Sequence, residues 1–170
     1  LAASPLMSSP ALAATTTAAT PTDHASLSTI DGTRTGTITV HTVPDDLFQI
    51  LPVRDTRCAP IDLTAEAGWS ALTDRVATQD TPAPCEQSSP ITSARTDASG
   101  TVSFTLPVGP YWVVDRGTPE STLTQHAAPA LVTIPMTDPA HGDRWLYDVD
   151  VHPKRPAPDI VETVEDSHPT

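Results

Sequence analysis

The sequence predicts a mainly β chain, folded as an antiparallel sandwich with one short helix. Three observations carry that reading. Proline is abundant, 19 of 170 residues, while glycine at 7 is scarce. An interior proline costs a helix about 3 kcal/mol, so long helices are disfavoured. Short runs alternate apolar and polar residues with period two, and turn residues separate them at roughly even spacing. A length of 170 residues suits one domain with tails rather than two full cores.

Residues 1–13 contain Ala11-Leu12-Ala13, the small-x-small pattern of a signal-peptidase site after a short apolar stretch. They are expected to be a signal-peptide remnant; an Ala/Ser/Pro-rich flexible tail is the alternative. Residues 14–35 read as a flexible N-terminal tether without periodicity. From Gly36 the pattern changes. In GTITVHTV (36–43), Ile38, Val40 and Thr42 alternate with Thr37, Thr39 and His41, as in a half-buried strand. LFQILPV (47–53) is a second β-rich run, ended by Pro52.

Residues 62–77 form the helical candidate. Asp62 is placed to cap it and Glu66 lies in its first turns, where negative charge is favourable. Leu63, Trp69, Leu72 and Val76 make one apolar stripe, which Gly68 weakens by about 1 kcal/mol relative to Ala. Residues 78–90 read as loop. ITSAR (91–95), the turn Asp97–Gly100 and TVSFTL (101–106) then suggest a hairpin, with Val102, Phe104 and Leu106 on one face. PYWVVD (110–115) and APALVTIPM (128–136) are further strands. In the closing run WLYDVDV (145–151), Trp145, Tyr147, Val149 and Val151 share a face opposite Leu146, Asp148 and Asp150.

The net charge of −12 argues against a nucleic-acid partner, because affinity for phosphates is built from Lys and Arg. An anionic membrane surface is disfavoured for the same reason. No run reaches the roughly 18 apolar residues needed to span a bilayer. Six scattered histidines and two cysteines lack metal-ligand spacing, so neither metal nor cofactor is expected. Cys58 and Cys85 form a disulfide candidate if the chain is exported, and are two separate thiols otherwise. An enzyme is disfavoured: there is no G-x-S-x-G elbow, and His141 near Asp143 lacks a third partner.

The nine basic residues are eight arginines and one lysine, Lys154. It follows the last strand through His152 and Pro153; the proline fixes its own φ and favours an extended His152. An ε-amine becomes a nucleophile once deprotonated, and nearby Asp148 and Asp150 favour its charged form. A partner would then have to supply the base. An ordinary surface lysine is the alternative reading of these residues.

Residues 145–154 resemble the W-x-x-x-V-x-V-Y-P-K pilin motif of sortase-assembled pili in Gram-positive bacteria. Trp145, Val149, Val151, Pro153 and Lys154 match its fixed positions, and His152 replaces Tyr. IDLTAEAGWSAL (61–72) is similar to the D-L-T-T-x-x-G-W-x-A-L helix of the N-terminal domain of actinobacterial shaft pilins. GTVSFTLPVGPYWVVD (100–115) resembles the G-x-x-x-F-x-x-L-P-x-G-x-Y-x-V-x-E pattern of that domain and of collagen-adhesin B-type modules, with one residue fewer between Phe104 and Leu106 and with Asp115 at the usual Glu.

The resemblance implies an immunoglobulin-like pilin N-terminal domain over 36–154. Residues 155–170 would then be a linker and the first strand of a following domain, with Ile160, Val161 and Val164 in that strand. It also implies that Lys154 accepts an isopeptide bond from the LPXTG threonine of a neighbouring subunit, through a class C sortase. Partners would be neighbouring subunits, that sortase and host surface ligands. The location would be the cell-wall-anchored pilus outside the cell. An internal Lys–Asn isopeptide bond is not expected, because Lys154 is the single lysine. Arg155 stands where Asn often follows the motif lysine, and Glu162 where a bond-forming Lys would be expected in the next domain. The rival reading is a surface adhesin or stalk module of the same fold. It requires an exposed apolar or aromatic patch, to which Trp112 could contribute.

Overall fold

The computed structural model of the chain describes residues 26–121 and 125–156. The expected signal remnant, most of the tether and the strand around Ile160 lie outside them. The strands are β1 (Thr35–His41), β2 (Leu47–Pro52), β3 (Thr92–Arg95), β4 (Thr101–Pro107), β5 (Gly109–Gly117), β6 (Ala130–Ile134), β7 (Met136–Thr137), β8 (Trp145–Leu146) and β9 (Asp148–Val151). Two helices, α1 (Glu66–Thr78) and α2 (Pro84–Gln87), lie between β2 and β3.

Period-two alternation on β1, β4 and β9 gives one sheet an apolar face. That sheet has the order β4-β1-β9, and a second has the order β3-β2-β5-β6; β7 and β8 pair separately. Ile38, Val40, Phe104, Leu106 and Val149 from the first sheet, with Tyr147 just before β9, meet Phe48, Ile50, Tyr111, Val113, Val132 and Ile134 from the second. The outer face of the second sheet is covered as well. There Leu51, Val53, Trp112 and Val114 pack with Leu63 and Leu72, flanked by Trp69 and Val76. β5 is thus buried on both faces, which is why PYWVVD reads as a continuous run rather than an alternation.

Several expectations are corrected. The sandwich is not wholly antiparallel, because β9 pairs parallel to β1, Val149 opposite Ile38 and Val151 opposite Val40. Residues 91–106 are not a hairpin: β3 pairs with β2, whereas β4 pairs with β1 in the other sheet. The Asp97–Gly100 turn is real, since Asp97 Oδ1 accepts from the amides of Ser99 and Thr101, but it carries the chain between sheets. Residues 26–34 are not a tether. Ile30 is buried, the Asp31 amide donates to Tyr147 Oη at 2.9 Å, and Arg34 lies over the Tyr147 ring.

Helix α1 starts four residues after Asp62, with Ala65 at its N-cap. Asp62 instead accepts from the amide and hydroxyl of Thr64. A Cβ on Gly68 would lie 1.7 Å from the Asp62 carbonyl oxygen, so this glycine lets the preceding loop cross the helix closely. The stretch read as loop holds α2, with Pro84 in its first turn, the position where proline's missing N–H costs least.

Cys58 and Cys85 are joined by a disulfide, which ties the loop before α1 to α2. Beside it, Arg75 of α1 pairs with Glu86 of α2, both almost fully buried. Glu86 also accepts from the Arg54 amide at 2.7 Å, the Ala83 amide at 2.6 Å and Trp112 Nε1 at 3.3 Å. Arg75 also donates to the carbonyls of Gln79 and Thr81. A buried pair satisfied in this way becomes a liability when one partner is removed.

Glu86→Ala is therefore expected to lower unfolding stability in urea by about 3–5 kcal/mol. A loss under about 1 kcal/mol would show that the pair is not buried as described. A second expectation concerns Tyr111, whose nearly buried phenol is pushed up to about 12 by burial and donates to the Pro107 carbonyl. In the unfolded chain it ionises near pH 10. The stability supplied by the neutral phenol is complete below pH 10 and lost as pH rises from there toward about 12. Tyr111→Phe is expected to flatten that alkaline slope, measured by thermal melts between pH 9 and pH 12.

Candidate functional site

The closing strand is tied down along its length before it releases the lysine. Trp145 on β8 stacks on Trp69 of α1, with centroids 5.7 Å apart, and its Nε1 donates to the Ser26 carbonyl. Two stretches singled out in the sequence, 61–72 and 145–154, therefore meet through their tryptophans. The Tyr147 carbonyl then accepts from the Thr37 amide at 2.9 Å. Val149 points into the core and Val151 is half-buried, while Asp148 and Asp150 face solvent, as the alternation predicted.

Past Val151 the ladder ends. His152 stacks on His41, the last residue of β1, with centroids 4.7 Å apart and planes within 13°. The parallel pairing explains the contact, because both strands run the same way and finish at the same end of the sheet. His41 Nε2 in turn lies 2.8 Å from Asp150 Oδ1. Pro153 is half-buried and Lys154 is exposed. Among the described residues Lys154 makes no hydrogen bond or ion pair, including with Asp148 or Asp150.

The next side chain turns inward. Arg155 Nη2 pairs with Asp46 Oδ2 and, at 3.1 Å, with Asp115 Oδ2. Asp46 sits between β1 and β2, and its amide donates to Thr96 Oγ1. Asp115, on β5, accepts from the amides of Gly117 and Ala127, both at 2.8 Å. Burial first, and then the charge of Asp115, push the Asp46 carboxyl up from the usual range, against the pull of Arg155. The sequence offered only faint signals for this cluster. Nothing in the sequence singled out Asp46, and Arg155 and Asp115 stood out only as departures from the pilin patterns.

Beside the segment lies a groove of about 360 Å³ between β6 and β9, each the edge of its sheet. Leu131, Val132, Met136, Val149 and Val151 make it apolar, and Asp150 and His152 line its end toward the lysine. Trp112 is fully buried beneath α1 and contributes to no surface patch. Among the described residues no cluster of His, Cys, Asp and Glu is arranged to hold a metal ion. No described helix is long and apolar enough to cross a membrane.

This arrangement has relatives. Residues 45–155 match the Gram-positive pilin subunit D1, N-terminal domain. A type 1 fimbrial subunit of Actinomyces viscosus is 32% identical over 187 aligned positions, covering 98% of this chain and 34% of that protein. The chain thus spans about a third of that relative's length. The fimbrial protein FimP of Actinomyces oris superposes with a TM-score of 0.58 at 29% identity, over 75% of this chain and 31% of that one. A SpaA pilin–signal peptide complex from Corynebacterium diphtheriae gives 0.51 at 25% identity, over 72% of this chain and 97% of that one. The relatives are structural subunits, not enzymes. The chain, a sandwich closed by a parallel last strand whose motif tryptophan on β8 stacks on α1 and whose lysine is exposed, belongs to the Gram-positive pilin N-terminal (D1) domain family.

Proposed function

We propose that this chain is the acceptor end of a covalently polymerised surface pilus, with Lys154 as the joining nucleophile. The observation that carries the reading is an exposed lysine, unpaired among the described residues, past the end of a segment fixed from Trp145 to Val151. A class C sortase would cleave a neighbouring subunit's LPXTG-type signal between Thr and Gly, holding the Thr carbonyl as a thioester. The neutral Lys154 amine attacks that carbonyl, the sortase cysteine leaves as thiolate, and the amine's surplus proton passes to a base on the sortase. The product is an amide between Lys154 Nζ and the threonine. The protein is the substrate of this step, and the fibre grows by its repetition.

The groove between β6 and β9 supports the reading further. It is apolar, open along two sheet edges and ends at His152, two residues before the lysine. The SpaA relative was solved in complex with a signal peptide, and this groove suits the apolar part of a neighbour's sorting signal. In the full protein, residues 1–13 would be the remnant of an export signal. Residues 155–170 would lead into the next domain of a subunit anchored to the cell wall. Host surface ligands would be met by the assembled fibre.

The test combines the purified chain, an LPXTG peptide and a pilus-specific class C sortase, read by intact mass and fragment ions. The single lysine makes assignment simple, with the N-terminal amine as the other candidate. An adduct on Lys154 that disappears in Lys154→Ala and Lys154→Arg is expected. No adduct on Lys154, with the enzyme active on another pilin, would contradict the proposal.

A further inference from the structure

We propose that Arg155 is a positioning residue for Lys154, its guanidinium clamped by the buried carboxylates of Asp46 and Asp115 so that the acceptor segment is fixed to the sandwich. The inference rests on reading Lys154 as the acceptor. Among the described residues, no backbone hydrogen bond holds 152–156. What holds the segment is side-chain contact on either side of the lysine, the His152–His41 stack before it and Arg155 after it.

The clamp also sets direction. From His152 to Pro156 exposure alternates, with Pro153 and Arg155 half-buried and His152, Lys154 and Pro156 exposed. In extended backbone, neighbouring side chains project to opposite sides. Drawing Arg155 inward therefore turns Lys154 outward. The anchor points belong to different parts of the fold, the β1–β2 connection and β5, so the segment is fixed in more than one direction.

The carboxylates have strong reason to keep this partner. Their side chains are 0% and 1% exposed, against 23% for Arg155, and no other cation pairs with either among the described residues. Asp115 has two amide donors besides, but among the described residues Asp46 Oδ1 has no partner, and Oδ2 has only Thr42 Oγ1 besides the arginine. Without the guanidinium, two buried carboxylates would face each other uncompensated. The general consequence for transfer is known in magnitude, since small misplacement of a reacting group can cost a hundredfold in rate.

The test uses the full chain as wild type, Arg155→Ala, Arg155→Lys and the double variant Asp46→Asn/Arg155→Gln. The double variant removes one charge of each sign, in case Arg155→Ala alone fails to fold. Amide ¹⁵N relaxation reports order at His152, Lys154 and Arg155, the residues of this segment with an amide N–H, and the sortase reaction with an LPXTG peptide reports kcat and KM at Lys154. In Arg155→Ala and the double variant, order is expected to fall at the amides of residues 152, 154 and 155 while the amides of β1, β2 and β5 are unchanged. The kcat should fall about tenfold to a hundredfold with the KM for the peptide nearly unchanged. Arg155→Lys should restore part of it, and acetylation of Lys154 by a small reagent should proceed at the wild-type rate. Unchanged order and kcat in a folded variant would overturn the proposal. A wild-type chain that gives no Lys154 product overturns the acceptor reading and the positioning role with it, while relaxation still reports whether Arg155 clamps the segment.

Discussion

The site depends on the parallel pairing of the last strand with the first. β9 has no sequence neighbour to pair with in a hairpin; it reaches β1 across more than a hundred residues of chain. The approach is close at Gly36, where a Cβ would come within 2.1 Å of the Tyr147 carbonyl oxygen. That carbonyl is the one that accepts from the Thr37 amide, so the glycine permits the first hydrogen bond of the ladder. Once the pairing forms, Val149 lies opposite Ile38, Val151 opposite Val40, and the chain must leave beside His41. The point at which the chain leaves the sheet toward Lys154 follows from core packing rather than from a dedicated loop.

Two buried ionic clusters serve different ends of the domain. Arg75 and Glu86 sit under the helices, where each finds further hydrogen bonds and where the disulfide closes the same region. Such a pair stabilises little beyond an apolar equivalent but penalises any arrangement that separates its partners. Asp46, Asp115 and Arg155 are less completely satisfied, and the cation enters from the partly exposed side. The first cluster joins elements that are near in sequence. The second joins the chain's exit to the middle of the sandwich, across 109 and 40 residues.

Much of this was legible in the residues. Period-two alternation located the apolar faces of β1, β4 and β9, because each has one buried face and one wet one. The tryptophans at 69 and 145 stood in recognisable stretches, yet nothing local indicated that they would stack on each other. The supposed hairpin over 91–106 misled because a turn signal reports how the backbone bends, not which sheet the next strand joins. Asp62 had the right identity for a helix cap, but its oxygen was taken by Thr64, and the helix began one turn later. Arg155 and Asp46 were the hardest to see, because their meaning lies in a contact between residues 109 positions apart.

The central claim is that Lys154 is where one subunit is joined to the next. The most direct measurement is on fibres themselves: pili stripped from cells that make the full protein, digested and sequenced by tandem mass spectrometry. The account predicts a branched peptide in which the Lys154 ε-amine carries the threonine end of a sorting signal, as the main form of that lysine. Fibres in which Lys154 is recovered as an unmodified residue, with the junction elsewhere, would contradict it.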